Sequence, residues 1–98
     1  MILTFMRDRS KKASAPGEIV PKGIYKTPAE AASAFKAARE KTLDYVRGTN
    51  DALRDHFFAP QPGNEMDGVQ ALLMLAGHNE RHVAQIEEVK ASPGYPKR

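Results

Sequence analysis

His78-Asn79-Glu80-Arg81-His82-Val83-Ala84-Gln85-Ile86-Glu87-Glu88-Val89-Lys90 is the stretch on which the fold turns. Two imidazoles stand four residues apart, so on an α-helix both leave one face with Cβ atoms about 6 Å apart, close enough to share one ion. Leu75, His78, His82, Gln85 or Ile86, and Val89 recur at helical intervals and make one row, which predicts that the pair faces a bundle interior. Such spacing also arises in ordinary helices, where partly buried histidines find polar partners instead of a metal. The metalloprotease helix signature is excluded, because its general base directly follows the first His and Asn79 stands there. Glu80 projects away from the histidine row and reads as a solvated residue that pairs with neighbouring charges.

Working outward, the helix holding this stretch is expected over 66–91, with Glu65 and Asp67 near its positive end and Pro93-Gly94-Tyr95-Pro96 beyond its other end. Upstream, Thr27-Pro28-Ala29-Glu30 carries an N-cap, a proline at the first helical position and a Glu placed to reach back. It predicts a long helix over 27–58 with Ala31, Phe35, Ala38, Thr42 and Val46 as its buried stripe. Gly48 marks an expected kink before a second helical piece from Asn50 to Phe57, and Pro60-Gln61-Pro62-Gly63 ends it. His56, beside Phe57 and Phe58, reads as a surface or capping histidine. Residues 13–26, with Pro16, Gly17, Pro21 and Gly23, read as a crossover loop, and residues 1–12 as the end of a helix. No strand-like alternation occurs, so the fold class is all-α, a helical bundle or part of one in a single domain over 1–98.

Composition narrows the function classes. Without cysteine, disulfides, thiolate ligands and cysteine nucleophiles are excluded, which leaves His, Asp and Glu as metal ligands and a reducing cytoplasm as the expected compartment. No apolar run reaches the ~20 residues of a membrane span, and the opening Met1–Met6 lacks the marks of a signal peptide. A net charge of +3 rests largely on cations near the termini and in loops, including Arg98, rather than on one helix face, which argues against nucleic acid as a partner. No phosphate loop, serine nucleophile elbow or close carboxylate dyad appears.

The sequence from His78 to Lys90, with the Pro93–Pro96 tail, resembles the DinB-like (damage-inducible) metal-binding four-helix bundles. Pro21-Lys22-Gly23, Thr27-Pro28, Leu53-Arg54 with His56, and Gly68 extend the resemblance over most of the chain. It implies that His78 and His82 are ligands of a divalent ion such as Zn, Ni or Fe, with Arg81 and Gln85 orienting them or binding an anionic substrate. The third ligand of that family, a histidine of the second helix, would precede Met1, so weak binding and low occupancy are expected. The resemblance further implies a truncated bundle, and because two and a half amphipathic helices leave one side of the apolar stripe uncovered, a two-fold homodimer that rebuilds a four-helix core is expected. Two functions remain open: a relative of metal-dependent thiol transferases acting on a low-molecular-weight thiol, or a catalytically inactive bundle that dimerises or binds another protein.

Overall fold

The computed structural model describes residues 2–60 and 62–97; Met1, Gln61 of the expected helix stop, and the terminal cation Arg98 lie outside them. The elements are α1 (Ile2–Arg7), α2 (Pro28–Gly48), β1 (Phe57–Phe58), β2 (Met66–Asp67) and α3 (Gly68–Lys90), with short 3-10 turns at Gly17–Ile19 and Leu53–Asp55. Helix predominates, and the all-α class expected from the sequence holds. The chain divides into two units, one made of α1 with the segment from Ala52 onward, the other of Ala13–Asp51.

In the first unit, α3 starts where its sequence supplies donors and acceptors for a helix end. The Asp67 carboxylate accepts the Gln70 N–H at 2.8 Å, while the Gln70 side chain accepts the Asp67 N–H at 2.9 Å. This reciprocal pair is a capping box. Arg54 donates to the other Asp67 oxygen at 3.0 Å, tying the 3-10 turn to the helix start. Met66 and Asp67 are the most deeply buried side chains described, at 7 % and 8 % exposure. They pair antiparallel with Phe58 and Phe57, a two-residue ladder absent from the strand-free reading of the sequence.

α1 lies against α3 at Gly77, the buried residue of that helix. A Cβ added at Gly77 would stand 2.7 Å from Cβ of Met6, so only glycine admits the contact. Around this point Arg7 pairs with Glu80, Arg9 donates to Glu88 at 3.0 and 3.1 Å, and the Arg81 guanidinium donates to the carbonyls of Asp8 and Lys11. α1 therefore stops at Arg7 rather than running to Lys12, and Arg81 takes up carbonyls just beyond its end.

In the second unit, Thr27 caps α2 by accepting the Glu30 N–H at 3.1 Å, as expected. Glu30 reaches back one residue further than a capping box requires and accepts the Lys26 N–H at 2.7 Å. The expected helical continuation past Gly48 does not form. Thr49 turns extended, its hydroxyl accepts the Asp51 N–H at 3.0 Å, and the Tyr45 hydroxyl donates to Asp51 at 2.6 Å. These local bonds offer the backbone an alternative to another helical turn, and Gly48 does little to resist it. The stripe of α2 expected to be buried is not: the helix has no buried residue, with Phe35 56 % and Val46 43 % exposed.

Two consequences for stability are testable. Gly77→Ala must push α1 off α3, an overpacking cost of about 1–3 kcal/mol in urea denaturation, whereas Gly48→Ala, with nothing within 4 Å of the added methyl, should leave stability unchanged or raise it. The Asp67 carboxyl is held below its ordinary range, chiefly by the Gln70 N–H and then by Arg54. Its contribution is present above the unfolded-state carboxyl pKa and is lost as pH falls through the lower folded-state value. The acid limb of a Tm-versus-pH curve should therefore flatten in Asp67→Asn.

Candidate functional site

Consecutive residues of an α-helix leave it about 100° apart. Since Gly77 faces α1, His78 points to the flank of that contact, and His82 follows it one turn later. The interior position expected for the pair is thus not found within the chain: His78 and His82 are both exposed, because α1 covers the neighbouring face of α3 and not theirs. Ile86 and Val89 continue the same row and are 57 % and 53 % exposed.

The two imidazoles nevertheless meet. Nε2 of His82 lies 2.8 Å from Nε2 of His78, with the rings edge to face and their centroids 4.5 Å apart. Nδ1 of His82 lies 3.0 Å from the amide oxygen of Gln85. An amide oxygen only accepts, so Nδ1 of His82 carries the proton and its Nε2 presents a lone pair. Nε2–H of His78 donates to that lone pair. Desolvation, then the neighbouring His82 and Arg81, hold the His78 imidazolium below the usual histidine range, favouring the neutral ring.

As a metal half-site the pair fits. Two imidazole nitrogens on a tetrahedral ion with bonds of about 2.0–2.1 Å are roughly 3.3 Å apart, so the rings would part by about half an ångström and the proton of the neutral His78 ring would move from Nε2 to Nδ1. The pair does not fit as a complete shell. Among the described residues no group of three or more His, Asp or Glu gathers at any point.

The other sequence-derived candidates divide between structure and site. Gln85, named from the resemblance as an orienting or substrate-binding residue, lies with its amide oxygen 3.0 Å from Nδ1 of His82. Arg81, the companion candidate, is drawn off to the carbonyls of Asp8 and Lys11, so its guanidinium serves the α1 contact rather than the imidazoles. Glu80 pairs with Arg7 on the face away from the histidines, in keeping with its expected role. His56 is exposed, and its carbonyl accepts the Gly68 N–H at 3.1 Å.

Lys90 and Tyr95, which sequence reasoning did not single out as site residues, stand beside His82. A shallow groove of about 300 Å³ is lined by His82, Gln85, Ile86, Val89, Lys90 and Tyr95. The turn at Gly94, whose φ is +86°, brings Tyr95 back to the helix, with its N–H bonded to the Ser92 carbonyl at 3.2 Å. Pro-Gly in the tail was the available signal. None of the described helices is long and apolar enough to cross a membrane.

Residues 2–86 match the sequence model of the DinB superfamily. Neither a curated protein nor a solved structure matches the chain.

The role of Gln85 can be checked without metal. In nitrogen-15 spectra of the imidazoles near pH 8, His82 should report protonated Nδ1, and Gln85→Leu, which removes the acceptor, should move it toward the Nε2–H form. An unchanged tautomer in that variant would remove Gln85 from the site.

Proposed function

The chain belongs to the DinB superfamily, and from that premise we propose that it binds a divalent metal ion through Nε2 of His78 and Nε2 of His82. The observation that carries this reading is the convergence of the two Nε2 atoms at 2.8 Å, with the far nitrogen of His82 held by Gln85. Donation of the outer ring N–H to an oxygen acceptor fixes which nitrogen is left to bind a metal and raises its basicity. Imidazole suits Zn, Ni and Fe alike, so the donor set selects a borderline divalent ion without choosing among them.

When bound, such an ion supplies Lewis acidity that lowers the pKa of a coordinated water or thiol. The chain's own residues divide the remaining work. His78 and His82 are ligands and not bases. Gln85 holds the His82 tautomer. The groove against Ile86, Val89 and Tyr95 offers an apolar wall next to the pair, with Lys90 at its rim and engaged by Glu87 at 3.0 Å. A small thiol of the kind used by metal-dependent thiol transferases of this family is the substrate class we assign. We place the protein in the cytoplasm, where a cysteine-free chain meets no redox constraint. A second reading, a catalytically silent bundle that acts by association, is favoured by the presence of two donors and no third among the described residues.

The purified chain, dialysed against Zn²⁺ and then against metal-free buffer, is expected to retain zinc by elemental mass spectrometry. His78→Ala and His82→Ala should each lose it, and Gln85→Ala should weaken it by about 10-fold or more. A folded wild-type chain that retains no Zn²⁺, Ni²⁺ or Fe²⁺ would eliminate the metal reading and leave the associating bundle.

A further inference from the structure

We infer that the metal site is shared between two copies of this chain, paired antiparallel along α3, so that His78 and His82 of one copy and the same two residues of the other supply four imidazole nitrogens. The inference rests on the metal binding proposed above and not on the thiol chemistry: four imidazoles close a tetrahedral shell, so an ion held this way ties the two copies together and leaves no open position for a thiol.

Three observations converge on a second copy as the occupant of this face. First, each chain brings two convergent donors, and no third His, Asp or Glu joins them among the described residues. A closed tetrahedral site takes four, and a two-fold axis doubles two to four. Secondly, the histidine-bearing stripe of α3 from Ala71 to Val89 holds no Asp, Glu, Lys or Arg, although Glu80, Arg81, Glu87, Glu88 and Lys90 crowd the other faces of the same helix. An uncharged stripe of this length, half-buried around Ala71 and Met74 and open from His78 to Val89, is suited to being covered rather than solvated.

Thirdly, the stripe is self-complementary in register. Its positions are spaced symmetrically about residue 80, so an antiparallel copy sets Ala71 against Val89, Met74 against Ile86, and His78 against His82. Small meets branched, Met meets Ile, and the four imidazoles fall together at the axis. No like charges face each other in this pairing. A pairing displaced by one turn would keep only one imidazole of each chain at the axis, His82 against His82 or His78 against His78, and set the other against Ile86 or Met74, leaving two facing donors instead of four. α1 lies on the neighbouring face, at Gly77, and leaves this one open.

The test measures oligomer mass by light scattering and metal content by elemental mass spectrometry on the same sample, with Zn²⁺ alone as the probe. Expected is a dimer holding one zinc per two chains, which His78→Ala abolishes. Ile86→Lys leaves both imidazoles intact at an already exposed position, yet should give a monomer with zinc affinity at least about 10-fold lower. Mixing Ala71→Cys chains with Val89→Cys chains should yield an oxidised heterodimer, and neither variant alone should cross-link. One zinc per chain at monomer mass, or two zincs per dimer, would overturn the shared site while sparing the metal reading. A folded wild-type chain that binds no zinc would overturn the shared zinc site, and one that binds no Ni²⁺ or Fe²⁺ either would end the metal reading as well. A zinc-loaded dimer indifferent to Ile86→Lys and silent in the 71/89 cross-link would overturn the proposed pairing.

Discussion

The seat of Met6 on Gly77 is the contact on which the rest of the first unit depends. It brings α1 close enough to α3 that no side chain fits at position 77, and it fixes which side of α3 is spent on internal packing. The charged contacts follow from that placement. Arg7, Arg9 and Arg81 reach their partners on either side of Gly77 because the two backbones are already near each other. Exposed ion pairs contribute little individually, so their value here is directional. They resist sliding or rotation of α1 on a helix whose packing contact is small.

That placement separates two tasks along one helix. The side of α3 bearing Gly77, Glu80, Arg81 and Glu88 holds the first unit together, and the adjacent side bearing His78, His82 and Gln85 is left uncovered by α1. Arg81 shows the cost of misjudging the boundary. It follows the motif's pattern and lies one residue from His82, yet its guanidinium bonds the carbonyls of Asp8 and Lys11. Gln85, three residues beyond His82, lies on the histidine side and touches the ring. A helix thus assigns neighbours in sequence to opposite duties.

What the sequence made legible was whatever depended on local spacing: the α3 helix, the meeting of His78 with His82, the Thr27 cap, and the all-α class. The stop of α2 at Gly48 was harder to read. The residues beyond it, Thr49 and Asp51, bond to the local backbone and to Tyr45, and periodicity does not weigh that competition. The role of Arg81 depends on partners some 70 residues away in sequence, which no local pattern contains. Burial failed for a different reason. The stripe of Phe35 and Val46 and the row of His78 and His82 have the periodicity of covered faces, but periodicity states what a helix presents and not whether its own chain supplies a cover.

The short β1–β2 ladder also has a consequence for how this protein could be handled. Its two residue pairs, together with Arg54 on Asp67, close the base of the excursion between Phe58 and Met66. The tip contains Gly63 at a φ of +78° with open space around it. Lengthening a closed loop is entropically cheap, at about 0.6 kcal/mol for each doubling. This turn is therefore the natural graft point for a peptide epitope or a fluorophore, since an insertion there loads neither the α1 seat nor the histidine face.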